Sequence, residues 1–195
     1  MKNHSFESRI LSVLFFGPPA LIALAIFGPW ELGWLPQVQL SYGERYKPPV
    51  VLPESPLRLN SGGILESNWA HGRWSLIYAH ISDCSEDCLR SLSVLESVQL
   101  SASNEIESIQ VVYLYGGKDS VSMNIPELFN GLIIGRIEDS TAVPLREVLG
   151  EDSLLGGQIY IVNPSGKLVF SYPPDAKEQG VLRDLKRLIA LNRIV

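Results

Sequence analysis

The residues best suited to chemistry are two cysteines in the stretch "DCSEDC", Cys84 and Cys88, with three residues between them. Two thiols at this spacing can close a disulfide, trade electrons with another thiol pair, or hold one soft ion as thiolates. Copper(I) and zinc prefer such ligands. Within a regular helix, residues four apart share a face with Cβ atoms roughly 6 Å apart. A disulfide needs about 3.5–4.5 Å. A bridge therefore requires Cys84 to lie on a loop, before the first helical turn. Asp83, Glu86 and Asp87 surround the pair. They favour a helix N-terminus and disfavour a bare thiolate. A bound cation or a resting disulfide relieves that repulsion. His80, four residues before Cys84, is expected as a half-buried imidazole at a strand end, and is the nearest further candidate ligand. His71 reads as a surface residue and Met123 as a core or loop residue.

Elements that would position this pair are visible on either side. "GRWSLIYAHI" reads as a strand leading into the cysteines. After them Leu89, Leu92, Leu95 and Val98 recur at helical spacing, with Ser91, Ser93 and Glu96 between, and the helix is predicted to end near Ala102 to Asn104. "IQVVYLY", Ile109 to Tyr115, is a buried central strand. "IPELFNGLIIGRI" reads as a helical turn followed by an edge segment, and "AVPLREVLG" as a helix ending at Gly150. "GQIYIVNPSGKLVFSYPP" is a hairpin. Pro164 presets its turn and Gly166 supplies a positive φ. A final helix starts near Ala176, with Val181, Leu182, Leu185, Leu188 and Ile189 on one side. A helix between the first two strands makes them parallel. The predicted fold is α/β, a thioredoxin-like domain with a mixed sheet and flanking helices, the cysteines sitting where the first core strand meets its helix.

The chain has 195 residues, 46% hydrophobic and only 19% charged, which points to a membrane segment. Ile10 to Trp30 carries no charge over 21 residues, enough to cross a hydrocarbon core of roughly 30 Å. Lys2 and Arg9 precede it and Glu31 follows, so the positive-inside rule puts the N-terminus in the cytoplasm. Ala23-Leu24-Ala25 resembles a signal cleavage site, but the apolar run continues past it, and an uncleaved anchor is expected. The predicted layout is a cytoplasmic N-terminus (1–9), a transmembrane anchor (10–34), a Pro/Gly-rich tether (35–63) and a domain (64–195). The alternative for the Pro-rich stretch "YKPPVVLPESP" is an ordered arm packed along the domain. The domain is then exported, and in a Gram-negative inner membrane it faces the periplasm, where thiols can oxidise. A net charge of −5 with no basic run outside the extreme N-terminus excludes nucleic acid as a partner. "GGKDS" is not a phosphate loop, and neither a GxSxG elbow nor an HExxH pair is present.

The anchor, the tether, the Gly72-Arg73-Trp74 that leads into a core strand, the CxxxC loop and the late hairpin together resemble the Sco/SenC family. The resemblance covers the layout of about residues 64–191. It implies a membrane-anchored thioredoxin-like protein that helps deliver copper to cytochrome c oxidase, with copper as the metal handled by Cys84 and Cys88. Two departures stand out. Ser85 and Leu89 occupy positions where the family has prolines. The family's third copper ligand, a His before the late hairpin, would fall near Leu155, and no His follows His80. The cysteine roles carry over and the His role does not.

Three readings follow. The chain is a Sco-like accessory protein working on copper or on the thiols of a respiratory oxidase subunit. It is a membrane-tethered thiol-disulfide reductase with no metal, exchanging with a partner thioredoxin-like protein. Or it is a non-catalytic interaction module with a structural disulfide. A turnover enzyme is not expected; any activity would be thiol-disulfide exchange at Cys84 and Cys88.

Overall fold

The computed structural model describes residues 15–19, 41–102, 109–116, 125–129, 131–137 and 139–192. The chain divides into two compact units, Met1–Leu40 and Ser41–Val195. In the first unit, residues 15–19 are helical. Among the described residues no helix is long and apolar enough to cross a membrane. The predicted span 10–34 lies outside the described residues except for that short piece.

The second unit is built on one eight-stranded mixed sheet in the order β1-β8-β7-β4-β5-β6-β2-β3. The strands are β1 (Glu44–Val51), β2 (Leu57–Leu59), β3 (Ile64–Leu65), β4 (Trp74–His80), β5 (Ile109–Tyr115), β6 (Ile133–Arg136), β7 (Gln158–Val162) and β8 (Lys167–Tyr172). The helices are α1 (Glu86–Ala102), α2 (Ile125–Leu128), α3 (Asp139–Leu149), α4 (Glu151–Gly156) and α5 (Glu178–Asn192). β4 runs parallel to β5, and β5 parallel to β6. The hairpin strand β7 pairs antiparallel with β4. This is the expected thioredoxin-like α/β arrangement.

The unbroken apolar runs of β4 and β5 have a direct cause: the sheet is covered on both faces, so neither side of a central strand meets water. One face packs Leu76, Tyr78, Val111 and Tyr113 against Leu92 and Leu95 of α1 and Val181 and Leu185 of α5. The other packs Ile77, Ala79, Val112 and Leu114 against Leu145, Leu149 and Leu154 of α3 and α4.

Two sequence expectations need correction. The described part of the predicted tether is not a free spacer: it contributes β1 and β2 to the sheet and belongs to the compact unit Ser41–Val195. β1 adds antiparallel to β8, and β2 adds antiparallel to β6. The Pro-rich composition is compatible with this because Pro48 and Pro49 lie in β1 at the edge of the sheet, where no further ladder bond is needed. β6 is accordingly interior, not an edge. Gly135 permits this: a β-carbon there would collide with the Leu57 side chain lying over it.

A buried carboxylate secures the start of the arm. Asp184 of α5 is 2% exposed. Its Oδ2 accepts from the backbone N–H of Tyr42 (2.6 Å) and Gly43 (2.9 Å) and from the Tyr172 hydroxyl (3.3 Å). Burial and the neighbouring Asp184 charge push the Tyr172 phenol well above its ordinary pKa, so it stays a donor. Gly43 has no room for a side chain because the Tyr172 ring lies on it. Replacing Asp184 by Ala removes the acceptor of three donors, two of them in buried bonds. We expect a stability loss of about 3 kcal/mol in urea unfolding of residues 41–195, and a loss well under half of that would show the carboxylate to be incidental.

Candidate functional site

β4 delivers the cysteine loop. Its last residue, His80, is followed by a bend at residues 81–82 and an extended stretch to Ser85. The Leu89 N–H bonds to the Ser85 carbonyl (3.1 Å), so Ser85 is the N-cap of α1. Glu86 and Asp87 fill the first turn, where carboxylates suit the helix dipole. Cys84 therefore lies on the loop and Cys88 inside the first turn. That is the arrangement the spacing argument requires for a bridge, and the two are joined as a disulfide with Cα atoms 5.2 Å apart.

The two sulfurs are not equivalent. Cys88 is completely buried, packed with Leu92, Leu95 and Tyr78 in the core. Cys84 is partly exposed and rests on the rim of the same cluster. Of the two, Cys84 is the one nearer solvent.

Tyr78, Tyr113 and Tyr115 line the sheet beneath the pair, with adjacent ring centroids 5.7 and 6.0 Å apart. Burial raises the pKa of Tyr78 and Tyr113, and the charges of Asp87 and Asp83 add to the respective shifts. These phenols are neutral hydrogen-bonding groups, not bases.

His80 sits on the same face as Tyr78, their rings 6.1 Å apart. Its Nδ1 is buried and has no hydrogen-bond partner. Burial holds the imidazole below its usual pKa, partly opposed by the Leu155 carbonyl and the Asp83 charge. The place where the Sco/SenC resemblance would put a third ligand, near Leu155, thus lies against the strand's own histidine. Gly157, at φ +71°, passes so close that a β-carbon would meet the Tyr78 hydroxyl and come within 3.3 Å of His80 Cδ2. His71 is elsewhere: it bridges to Ser165 and lies against Gly166, at the opposite end of β4 from the cysteines. Met123 is outside the described residues. Among the described residues no three His, Cys, Asp or Glu side chains converge as a metal-holding group. Once reduced, the pair itself offers two sulfurs suited to copper(I).

Sequence reasoning missed one site residue. Ser91 was expected among the polar positions of α1, but it is fully buried. Its place three residues after Cys88, next to Leu92, was the available signal. Gly156-Gly157 was a second signal, since a paired glycine before a strand marks a close approach.

The model of the transmembrane-like, thioredoxin-like, C-terminal domain family matches residues 74–192. The chain belongs to this family. No match was found among curated protein sequences. Among solved structures, apo Sco1 from Thermus thermophilus is similar at TM-score 0.60 and 18% identity, over 78% of this chain and 99% of that one. Yeast Sco1 with copper bound is similar at TM-score 0.57 and 16% identity, over 71% and 93% of the two chains. A yeast mitochondrial 1-Cys peroxiredoxin is similar at TM-score 0.56 and 16% identity, over 73% and 76%. At these identities the likeness establishes the thioredoxin-like fold.

The depressed His80 pKa sets a pH dependence. The unfolded imidazole binds a proton more readily than the folded one, so stability contributed by neutral His80 is present above about pH 6.5 and is lost as pH falls through the lower folded pKa. Thermal melts of wild type and His80→Gln from pH 7.5 to 4.5 should show a steeper acid decline in wild type. Parallel curves would exclude a neutral, buried His80.

Proposed function

We propose that this chain is a membrane-anchored, Sco-like accessory protein for respiratory oxidase assembly, handling copper(I) or client thiols through Cys84 and Cys88. The observation that carries the reading is the asymmetric bridge, with a reachable Cys84 on a loop and a buried Cys88 in the first helical turn. The thioredoxin-like fold and the similarity to Sco1, one example of which was solved with copper bound, support it. The charge-free stretch Ile10 to Trp30 and the flanking Lys2 and Arg9 support an inner-membrane anchor with the domain in the periplasm. The partner would be an oxidase subunit or another envelope protein.

In the reducing direction, the Cys84 thiolate attacks a client disulfide. One client sulfur leaves as thiolate and takes up a proton, and a mixed disulfide forms. Cys88 loses its proton and attacks Cys84 Sγ, the second client sulfur departs, and the Cys84–Cys88 bond closes. Two electrons and two protons pass to the client. In the copper direction the dithiol, having lost its protons, takes copper(I) as cargo between two sulfurs, with a further donor from the client or from His80.

A second reading is favoured by the complete burial of Cys88: a structural disulfide in an interaction module. The two readings separate cleanly. The reduced chain should hold copper(I) against a weak chelator, and Cys84→Ser should lose it. If wild type fails to compete, copper handling is wrong. Replacing both cysteines by Ser should cost about 2 kcal/mol for so short a loop and abolish oxidase assembly in a complementation assay. Full complementation would leave only the structural role.

A further inference from the structure

Ser91 is a hydroxyl on the apolar face of α1, one turn beyond Cys88 and fully buried. Its Oγ lies 2.8 Å from the Pro174 carbonyl and 2.9 Å from the Asp87 carbonyl. One hydroxyl hydrogen is shared between these acceptors, and the hydroxyl lies close enough to the buried Tyr78 phenol to oppose part of the rise in its pKa. The Asp87 carbonyl belongs to the peptide that carries Cys88. Four segments thus meet at one buried pair of hydroxyls: β4 through Tyr78, the first turn of α1 through Asp87, the β8–α5 loop through Pro174, and the Gly157 turn whose missing β-carbon leaves room for the Tyr78 hydroxyl. By contrast, the Ser93 hydroxyl bonds only back to Leu89 (2.9 Å) on the exposed side of the same helix.

We propose that Tyr78 and Ser91 are positioning residues for the cysteine pair, holding the Asp87–Cys88 turn in place when the disulfide opens, so that only Cys84 moves. The inference rests on Cys84–Cys88 being an exchanging pair. Its physical basis is the cost of leaving buried hydroxyls unpaired: the pair resists any displacement of the turn that would break its bonds. A fixed Cys88 keeps a high effective concentration for closure onto Cys84, which favours the disulfide. Reduction by glutathione consumes two glutathione thiols and yields Cys84 and Cys88 thiols plus one glutathione disulfide, so the equilibrium constant reads that preorganisation directly.

The test is this constant for the full chain in detergent, as wild type, Ser91→Ala, Tyr78→Phe and Ser93→Ala. The two buried variants should favour the dithiol by about three- to tenfold, up to about 30 mV for a two-electron couple, with Ser93→Ala at the wild-type value. Tyr78→Phe keeps the ring and its stacking on Tyr113, so it guards against a Ser91→Ala chain that does not fold. Lower melting temperatures with unchanged exchange constants would reduce the hydroxyl pair to a packing role and overturn this inference alone. A native wild-type disulfide that dithiothreitol cannot open would overturn both it and the exchange reading of the pair.

Discussion

Everything in the domain hangs on the double-sided burial of β4. The strand is shielded by α1 and α5 on one face and by α3 and α4 on the other, and it is bonded along its length to β5 and β7. A strand so enclosed cannot shift register by one residue without reversing which side chains meet which layer. Its C-terminal end is consequently a fixed point. The cysteine loop, the N-cap at Ser85 and the first turn of α1 inherit that position. The disulfide joins the loop to the helix where the two part, and the buried sulfur belongs to the helix, the more rigid of the two.

The polar groups inside this apolar frame are few and mostly shared between segments distant in sequence. Asp184 ties the incoming arm at Tyr42 and Gly43 to α5 and to Tyr172 on β8. Gln110 bonds Ser75 and the Trp69 carbonyl, securing the start of β4. Ser91 and Tyr78 secure its end. Each costs desolvation and is offset only where its partners are correctly placed. Such groups select one packing among several that apolar contacts alone would tolerate. Near the cysteines the net charge is negative, from Asp83, Glu86 and an Asp87 paired with Arg90 at 3.0 Å, and burial holds the His80 imidazole below its usual pKa. That environment does not stabilise a lone thiolate. It is better suited to a closed disulfide, or to sulfurs neutralised by a soft cation.

Most of the sheet was legible from pattern alone. β4, β5 and the β7–β8 hairpin are short runs too apolar to be exposed, and the Asn163-Pro164-Ser165-Gly166 turn specifies its own geometry, with Asn163 Oδ1 accepting from Ser165 and Lys167 and Gly166 at φ +70°. α1 and α5 show their stripes. The arm was harder to read. Its prolines are as suitable for a blunted edge strand as for a spacer, and only pairing with β8 decides between them. The interior place of β6 was hidden for the same reason, since its outer neighbour β2 comes from that arm.

For the site, the amino-acid sequence by itself determined the reactive groups and their order: two thiols four apart, acidic residues around them, a strand before and a helix after. Those follow from local physics, namely propensity, capping and periodicity. Tertiary structure alone decided which sulfur is reachable and which is buried. It also decided which turn the half-buried His80 lies against, that of Leu155 to Gly157, and that a serine in the helix belongs to the core. These depend on contacts between residues tens of positions apart, such as Ser91 with Pro174, and no local rule encodes the partner on the far side of such a contact.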